Sequence, residues 1–460
     1  MPKKKTALTI EERLQQALVP AEEQPYEVPK NWVWVRLGSL LKEIKNGTTI
    51  KQDKSGNGFS VTRIESLQNQ TIDLMRVGTI LETEKIKETD WYKSGDITLS
   101  HINSIEHVGK TALITDAMLP LVHGMNLLRL RFFEIYTPDL FQLYSQTYQY
   151  KNEIRSRINM AVNQVSINQK QLSSLEIPLP PLSEQQRIVE HIEELFAKLD
   201  EAKERLQEVV DSFAVRKAAI LHKAFTGELT KQWRCENGVS DESWEEKTIG
   251  EICSSLKYGT SKKSSDDGEV VVLRMGNLQN GEIDWSNLAY TSDEEDIKKY
   301  LLKSGDVLFN RTNSPELVGK TSIYRGEMPA IYAGYLIKLD YEKNIVVGDY
   351  LNYYLNSSKA KEYYMQVKTD GVSQSNINAK KIGEFEIPLP TLPEQHEIVR
   401  LIDDLLARER AAQQATEQAL ASIDLMKKSI LARAFRGELG TNKASEASAL
   451  ELLRQVLAEG

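Results

Sequence analysis

The segment Ile177-Pro-Leu-Pro-Pro-Leu-Ser-Glu-Gln-Gln-Arg-Ile-Val189 recurs as Ile387-Pro-Leu-Pro-Thr-Leu-Pro-Glu-Gln-His-Glu-Ile-Val399, an offset of 210 positions (387 − 177). Three further blocks recur at the same offset: Lys93-Ser-Gly-Asp96 with Lys303-Ser-Gly-Asp306, Val108-Gly-Lys-Thr111 with Val318-Gly-Lys-Thr321, and Ala224-Phe-Thr-Gly-Glu-Leu229 with Ala434-Phe-Arg-Gly-Glu-Leu439. This period is far longer than that of a solenoid repeat. The chain is therefore a tandem duplication in which each copy holds a complete domain and an appendage.

The first part of each copy, residues 31–182 and 243–392, mixes short β-rich runs with Gly, Asn and Asp turns. This composition predicts an α+β domain. The runs at 96–100, 270–273 and 306–310 are expected to be strands. A Tyr-rich helix is predicted over 349–367, with its counterpart over 138–158.

The second part of each copy, residues 183–229 and 393–440, is predicted to be one helix of roughly 43 residues, about 65 Å long at about 1.5 Å per residue. Ser183 and Gln186 have the form of a capping box, and Gly227 and Gly437 suit left-handed C-terminal caps. Apolar residues recur at alternating steps of four and three, which is a heptad seam. The seam of the first copy consists of Ile188, Ile192, Leu195, Leu199, Ala202, Leu206, Val209 and Phe213. The equivalent positions of the second copy are Ile398, Ile402, Leu405, Glu409, Ala412, Thr416, Ala419 and Ile423, followed by Met426 and Ile430, so that seam has smaller side chains and two polar interruptions, Glu409 and Thr416.

A long helix with one apolar stripe must cover that stripe. The other copy supplies a seam of equal length, so we expect the two helices to form an antiparallel coiled coil within the chain. The alternatives are that each stripe packs on its own globular domain or pairs with another chain. Outside the repeat, residues 1–30 and 441–460 are expected to hold short amphipathic helices at 9–19 and 444–458, which either extend the helical spine or are solvated tails. Residues 230–242 are expected to be a linker.

The composition is that of an ordinary globular protein, with 58 Lys and Arg, 66 Asp and Glu, and a formal net charge of −8. The two cysteines exclude a disulfide framework and a Cys-based zinc site. No apolar run approaches the roughly 18 residues of a membrane span, and acidic residues follow the basic start too early for a signal peptide. We therefore expect a cytoplasmic protein without membrane contact.

Catalytic motifs are incomplete. The Gly-Lys-Thr of 109–111 and 319–321 resembles the end of a phosphate-binding loop, but Ser104 and Ser314 stand where its first glycine is required. The sequence also lacks a complete Gly-x-Gly-x-x-Gly element, a base-methylation motif and an HExxH pair, and its six histidines are scattered. We therefore predict no catalytic and no metal-binding residues in this chain.

Two variable α+β domains, each ending in Ile-Pro-Leu-Pro-x-Leu-x-Glu-Gln and a long helix closed by Ala-Phe-x-Gly-Glu-Leu, resemble the specificity subunit of Type I restriction–modification systems. The resemblance covers about residues 31–440. It implies two target recognition domains that each read one half of a bipartite, gapped site in double-stranded DNA, with the coiled coil fixing the gap. It further implies two methylation subunits and the motor and nuclease subunits of a phage-defence complex as partners. S-adenosylmethionine, ATP and magnesium would then belong to those partners, with no cofactor in this chain.

Candidate DNA contacts come from comparing the copies. Identical residues suit shared folding or phosphate contact, whereas divergent ones suit base reading. Three strips of each copy carry the candidates. In the first copy, the first strip holds Thr48, Thr49 and Lys51; the second holds Ser100, His101, Asn103 and Lys110; and the third holds Gln164, Ser166 and Asn168. In the second copy, the first strip holds Thr260, Ser261 and Lys262; the second holds Asn310, Arg311, Asn313 and Lys320; and the third holds Gln374, Ser375 and Asn376.

Among these candidates, Arg311 suits guanine, Asn310 or Asn313 suits adenine, and Lys110 and Lys320 suit phosphates. Each residue could equally belong to a polar loop that caps strands. The alternative function is a non-enzymatic scaffold that binds protein or RNA partners through the paired helices.

Overall fold

The computed structural model describes residues 9–53, 57–161, 164–372 and 374–459. It divides into two compact units. The first unit takes the chain up to Arg205 and from Ala419 onward, and the second takes Leu206–Gln418. Each unit therefore contains one α+β domain together with a segment of both long helices.

The α-helices of the described residues are α1 (Ile10–Ala17), α2 (Pro138–Tyr144), α3 (Tyr148–Arg157), α4 (Gln169–Ser173), α5 (Leu182–Phe225), α6 (Lys231–Asn237), α7 (Ile249–Ile252), α8 (Glu294–Tyr300), α9 (Gly348–Leu355), α10 (Ser358–Val367), α11 (Ala379–Gly383), α12 (Leu392–Ala434) and α13 (Ala449–Glu459). The long helices α5 and α12 have 44 and 43 residues, as the heptad pattern predicts. The predicted linker contains α6.

The strands of the first copy are β1 (Val33–Arg36), β2 (Leu41–Asn46), β3 (Phe59–Val61), β4 (Leu67–Gln68), β5 (Thr71–Ile72), β6 (Gly78–Ile80), β7 (Ile97–Ser100), β8 (Ile102–Asn103), β9 (Thr111–Leu113), β10 (Leu127–Phe132), β11 (Asn159–Ala161), β12 (Gln164–Ser166) and β13 (Glu176–Leu179). Those of the second copy are β14 (Glu245–Thr248), β15 (Cys253–Tyr258), β16 (Val270–Leu273), β17 (Leu278–Gln279), β18 (Glu282–Ile283), β19 (Tyr290–Thr291), β20 (Val307–Asn310), β21 (Thr312–Asn313), β22 (Thr321–Ile323), β23 (Ala330–Tyr332), β24 (Leu336–Tyr341), β25 (Thr369–Asp370), β26 (Ser375–Asn376) and β27 (Glu386–Leu389).

The main sheet has the same topology in both units. Its antiparallel order is β2-β10-β7-β9 in the first and β15-β24-β20-β22 in the second. The repeated Ile-Pro-Leu segment forms β13 and β27, which pair with β1 and β14 so that Val35 faces Ile177 and Lys247 faces Ile387. The α+β class and the duplication predicted from the sequence are confirmed, and the strands predicted at 96–100, 270–273 and 306–310 are present.

The single helices predicted over 138–158 and 349–367 are wrong, because each region forms two helices. Thr147 accepts a hydrogen bond from the backbone N–H of Tyr150, and Ser357 accepts one from that of Ala360. A hydroxyl that satisfies a free N–H at a helix start favours a new helix at that point. The interruption therefore separates α2 from α3 and α9 from α10.

The last residues of each long helix belong to a domain core. Phe435, just after α12, packs edge-on against Tyr144 of the first unit with ring centroids 5.0 Å apart. Phe225, at the end of α5, packs against Tyr354 of the second unit at 4.9 Å. The Ala-Phe pair of each copy therefore stabilises the unit that contains the other copy's recognition domain. This explains why the Ala-Phe-x-Gly-Glu-Leu block recurs.

Both predicted glycine caps are confirmed. Gly227 and Gly437 have φ angles of 76° and 74°, a left-handed conformation that glycine adopts without the steric penalty of a Cβ. At Gly437 an added Cβ would also lie 2.3 Å from the Cγ of Pro29.

The two long helices are antiparallel within each unit, as predicted. In the first unit, Asp200 of α5 pairs with Lys427 of α12, and Lys203 pairs with Asp424, so numbers rise along one helix while they fall along the other. In the second unit, Arg216 lies 3.1 Å from Glu409. The helix ends also pack on the domains, with Ile188 and Ile192 in the first core and Ile398 and Ile402 in the second. The two packing alternatives within the chain therefore coexist.

The apolar seam keeps most of its predicted residues buried or half-buried, namely Ile188, Ile192, Leu195, Leu199, Leu206, Phe213, Ile398, Ile402, Leu405, Ile423 and Ile430. Four predicted members are wrong, because Ala202, Val209, Ala412 and Met426 are exposed. Their neighbours Lys203, Val210, Gln413 and Lys427 face the partner helix or are partly covered instead. A straight helix has about 3.6 residues per turn, so a seam read at 3.5 drifts along its length.

The predicted capping box at Ser183 and Gln186 is also wrong. Helix α5 begins one residue earlier, at Leu182, and the carbonyl of Pro181 accepts hydrogen bonds from the N–H groups of Glu184 and Gln185. The side chain of Gln186 donates to Glu190 further along the helix.

The Glu-Gln pair of the repeat connects each long helix to its domain. The amide oxygen of Gln185 accepts a hydrogen bond from the backbone N–H of Thr137, and its amide nitrogen donates to the carbonyls of Ile135 and Pro180. Gln395 makes the equivalent bonds to Val347, Ile345 and Pro390. Both glutamine side chains lie at the first helical turn and are buried, so they fix the angle at which the helix leaves the domain.

Glu184 is fully buried in the first unit and joins three chain segments. Its carboxylate accepts hydrogen bonds from the indole of Trp32 and the side-chain amide of Asn442, both at 2.7 Å. Thr441 also donates to it at 3.3 Å. The positive end of the α5 dipole favours a negative charge at this turn. The start of the domain and the segment after α12 therefore meet at the start of α5.

Glu394 occupies the same position in the second unit. Here the guanidinium of Arg234 takes the place that the side-chain amide of Asn442 has beside Glu184. Arg234 of α6 lies 2.7 Å from the carboxylate and is almost completely buried. The hydroxyl of Thr230 donates at 2.7 Å and the indole of Trp244 at 3.1 Å. Glu394 therefore binds the segment that follows α5, just as Glu184 binds the segment that follows α12.

The terminal helices α1 and α13 pack on each other and on the core of the first unit. Leu14, Ala17, Ala449 and Leu453 are buried in that core. Arg13 donates to the backbone carbonyl of Leu457 at 3.2 Å. Thr9 and Glu12 form a capping box at the start of α1. These helices are therefore neither an extension of the coiled coil nor solvated tails.

The two buried glutamates predict different losses of stability. Glu394→Ala leaves the Arg234 charge buried without its main partner and should lower the free energy of unfolding by about 3–5 kcal/mol. Glu184→Ala leaves only neutral donors unpaired and should cost about 1–3 kcal/mol. Urea unfolding measures both, with the exposed Glu193→Ala as control. Equal losses for the two variants would contradict this account.

The observed seam register makes a second prediction. Phe213→Ala removes a side chain that is 8% exposed and should lower the free energy of unfolding by about 3 kcal/mol. Val209→Ala, at a side chain that is 40% exposed, should change it by less than about 0.5 kcal/mol. Thermal unfolding of the two variants measures these changes. A larger loss of stability for Val209→Ala than for Phe213→Ala would show that Val209 lies in the seam, as the heptad pattern predicts.

Candidate nucleic-acid interface

Two of the predicted strips lie side by side in one small sheet of the first unit. Strand β8 follows β7 directly and pairs with β12, so that Ile102 faces Ser166 and Asn103 faces Val165. The N–H of Ile167 donates to the carbonyl of His101 at 2.9 Å. Residues more than 60 positions apart therefore form one continuous polar surface.

The second unit repeats this arrangement with different side chains. Strand β21 pairs with β26, so that Thr312 faces Asn376 and Asn313 faces Ser375. The side-chain amide of Asn376 donates to the hydroxyl of Thr312 at 2.8 Å. Here the N–H of Ile377 donates to the carbonyl of Arg311.

The first strip contains Thr48 in the first unit and Thr260 in the second. It is connected to the other two strips by a loop that was not predicted from the sequence. In the second unit this loop is 333–335. The N–H of Gly334 donates to the carbonyl of Thr260 at 2.7 Å, and the carbonyl of Gly334 accepts a hydrogen bond from the guanidinium of Arg311 at 3.1 Å. In the first unit the loop 123–126 follows the same course, and Thr48 forms a β-bridge with Gly124. The sequence feature that could have identified this loop is a glycine present in both copies at the repeat offset of 210, Gly124 and Gly334. We define the three strips and this loop of each unit as its recognition surface.

Arg311 and His101 occupy equivalent positions and hold unused hydrogen-bonding capacity. The guanidinium of Arg311 lies 4.8 Å from the ring centre of Tyr258, which fixes its plane. Its Nε, like the Nδ1 of His101, is buried and has no hydrogen-bond partner within the described residues. Burial lowers the pKa of His101, so the imidazole is neutral near pH 7. Such unpaired buried groups are uncommon in folded proteins. Both side chains are half-exposed, so the rest of each side chain is accessible to a ligand.

Four candidates are buried and support the surface from below. Ser100 accepts a hydrogen bond from Asn103 at 3.1 Å, Thr260 donates to Asp296, and Ser375 donates to Asp370. The carbonyl oxygen of the Asn310 side chain accepts from the N–H of Thr312 at 3.3 Å. Buried side chains do not reach a DNA groove in this conformation, so these residues orient their neighbours.

The other candidates present exposed or half-exposed side chains, namely Thr48, Thr49, Lys51, His101, Asn103, Lys110, Gln164, Ser166, Asn168, Ser261, Lys262, Arg311, Asn313, Lys320, Gln374 and Asn376. Asn168 caps α4 by accepting from the N–H of Gln171. Lys262 pairs with Asp293 at 2.7 Å, so part of its charge is neutralised within the protein. The strips that contain Gln164 and Gln374 each begin one residue earlier in the sequence, at Asn163 and Ser373, and these two residues lie outside the described residues.

The identical residues of the two copies mostly serve folding. Asp96 and Asp306 accept hydrogen bonds from the N–H groups of Lys93 and Lys303, closing the same turn in both units. An added Cβ at Gly109 would lie 2.8 Å from the side chain of Ile154. Lys110 and Lys320 are the charged members of the Val-Gly-Lys-Thr frame. Lys110 is exposed, whereas the half-exposed Lys320 donates one hydrogen bond to the side chain of Gln279 at 3.0 Å and keeps its charge unpaired.

Among the described residues, no group of three or more His, Cys, Asp or Glu side chains is arranged to hold a metal ion. No helix among these residues is long and apolar enough to cross a membrane.

Comparison with known proteins agrees with the duplicated architecture. The family described as "Type I restriction modification DNA specificity domain" matches twice, over residues 29–211 and 241–420. A Methanocaldococcus jannaschii protein named for the MjaX type I restriction enzyme specificity subunit is 33% identical, covering 86% of this chain and 92% of its own. The EcoKI specificity subunit of Escherichia coli K12 is 27% identical, covering 94% and 96%.

Solved structures share the fold. The HsdS subunit of Thermoanaerobacter tengcongensis matches with a TM-score of 0.62 and 20% identity, covering 91% of this chain and 100% of that one. A chain from a structure titled for complex assembly and conformational transition of the type I R-M system matches with a TM-score of 0.67 and 19% identity, covering 90% and 100%.

The duplicated α+β domains on paired antiparallel helices, each matched by this family description, define a DNA-specificity protein. The chain belongs to the family of Type I restriction–modification DNA specificity subunits.

Arg311 gives a prediction for base reading. Arg311→Ala should lower discrimination at a guanine in one half of the target by about 1–3 kcal/mol and leave the other half unchanged. Arg311→Lys keeps the charge but loses the planar fork, so it should lose most of that discrimination too. Competition binding of the full chain with its methylation partners to single-base variants of the mapped target measures this effect.

Asn313→Ala should behave in the same way at an adenine of the same half-site, and Lys320→Gln serves as the contrasting control. Equal weakening on every sequence by Arg311→Ala would identify Arg311 as a backbone contact.

Proposed function

We propose that the recognition surface of each unit reads one half of a bipartite, gapped site in double-stranded DNA. The observation that carries this proposal is that the same β8–β12 and β21–β26 framework presents different side chains in the two units. A shared framework with His101 in one unit and Arg311 in the other suits two unlike half-sites. The exposed amides and hydroxyls around them can donate and accept hydrogen bonds at base edges in the major groove.

The antiparallel helices support the second part of the proposal, in which the coiled coil sets the gap between the half-sites. Gln185 and Gln395 fix each helix to its own domain, and Phe225 and Phe435 fix its far end to the other unit. A helix of fixed length held at both ends converts its residue count into a distance along the duplex.

Two methylation subunits and the motor and nuclease subunits are the proposed protein partners. S-adenosylmethionine, ATP and magnesium are then bound by those subunits, in the cytoplasm where the DNA lies. The apolar side chains of Val215 and Leu425 support a docked partner, because they stand 210 positions apart and are 70% and 64% exposed. Large apolar side chains that remain exposed at matching positions of a duplication suit two copies of one partner.

A domain exchange tests the two-part target. Replacing residues 243–392 by the corresponding domain of another specificity subunit should change one half of the methylated sequence and keep the other half and the gap. The reciprocal exchange of residues 31–182 is the matched control and should change only the other half. Sequencing of methylated genomic DNA from cells with the methylation partners reads both outcomes.

An unchanged methylated motif after both exchanges would overturn the assignment. Absence of any specific DNA footprint from the assembled complex would instead favour a scaffold that binds protein or RNA.

A further inference from the structure

A basic cleft lies beside the recognition surface in each unit. In the first unit the cleft has a volume of about 360 Å³, and Lys110, Lys151 and Arg155 line it together with one acid, Glu106. In the second unit the cleft has a volume of about 310 Å³, and Lys217, Lys320 and Lys361 line it with Glu316. Each cleft therefore carries three cations against one carboxylate, although the whole chain has a net charge of −8.

The positive charges in the clefts are not neutralised by the protein. Within the described residues, Lys110, Lys151 and Arg155 form no ion pair, and neither do Lys217 and Lys361. The ammonium of Lys320 donates a hydrogen bond to the neutral side-chain oxygen of Gln279 at 3.0 Å, so its charge is not neutralised. The pKa of Lys151 is lowered by partial burial and then by the positive charges of Lys428, Arg155 and Lys110. Like charges that face one another without a counter-ion suit an anion bound from outside.

The clefts are equivalent in the duplication. Lys110 corresponds to Lys320 and Lys151 to Lys361, each 210 positions apart. A long helix brings a cation to each cluster. Lys428 of α12 lies near enough to Lys151 for its charge to lower the pKa of that lysine, and Lys217 of α5 is itself one of the three cations of the second cleft. The base-reading positions differ between the units, whereas these lysines are retained, as expected for a contact that does not depend on sequence.

The position of the clefts points to a nucleic-acid ligand. The N–H of Ser100 donates to the carbonyl of Lys110, and the N–H of Asn310 donates to that of Lys320, so the recognition strands carry the lysine loops directly. We propose that each cleft binds backbone phosphates of the duplex whose bases the adjacent surface reads. This inference rests on the proposed function.

The salt dependence of DNA binding tests the proposal with the full chain assembled with its methylation subunits. The variants are Lys110→Gln with Lys151→Gln in one cleft and Lys320→Gln with Lys361→Gln in the other. Each double variant should weaken binding to target and non-target duplexes alike. It should also reduce the slope of log K against log salt by about 0.9 per lost phosphate contact, or about two in total. The methylated sequence should stay unchanged.

Two controls separate charge from structure. Lys231→Gln, at an exposed lysine of α6 outside both clefts, should leave the slope unchanged. Lys151→Arg keeps the charge and should keep the slope, so recovery in this variant shows that the charge is what matters.

Three results would overturn the proposal. The first is an unchanged slope of log K against log salt in both double variants. The second is a loss of affinity that appears only on duplexes carrying one particular half-site sequence. The third is a complex that loses its methylation subunits while the remaining chain binds DNA normally. The last result would identify the clefts as docking sites for an acidic protein segment. Failure of the wild-type complex to bind any sequence specifically would reject the proposed function itself.

Discussion

The buried carboxylates of Glu184 and Glu394 are the interactions on which the rest of the structure depends. Each stands at the first turn of a long helix, where the helix dipole favours its charge, and accepts hydrogen bonds from the first tryptophan of its domain and from the segment that follows the other helix. Three distant parts of the chain therefore meet at one carboxylate. Each junction acts together with the neighbouring glutamine, Gln185 or Gln395, to fix a domain to the long helix that follows it.

The two junctions differ in their chemistry. Glu394 pairs with the guanidinium of Arg234, whereas Glu184 is held by the neutral donors of Trp32, Asn442 and Thr441. The first unit adds another connection, because Arg187 on α5 forms a two-pronged ion pair with Glu446 of the C-terminal segment. Together with α1 and α13 this segment covers the first core. The duplication has therefore kept the geometry of the junction while each copy found its own partners for the buried charge.

Stability and recognition are divided between different residues of each domain. The frame shared by the copies closes turns and fills the core, as Asp96 and Gly109 do. The divergent residues His101 and Arg311 are half-exposed, and each keeps one buried nitrogen atom that has no partner among the described residues. Rigid support beneath an unsatisfied polar group is what a reader of base edges requires, because recognition then costs little reorganisation.

The sequence by itself determined the duplication, the α+β class, the lengths of α5 and α12 and the antiparallel pairing, because these follow from repeated blocks, heptad spacing and glycine caps. It also identified the strips of the recognition surface, since divergence within a constant frame is visible along the chain. Only the tertiary structure decided that Ser100, Thr260, Asn310 and Ser375 are buried, that the loops 123–126 and 333–335 complete the surface, and that Val209 faces solvent. Burial and the meeting of distant strands depend on three-dimensional packing, which local spacing does not specify.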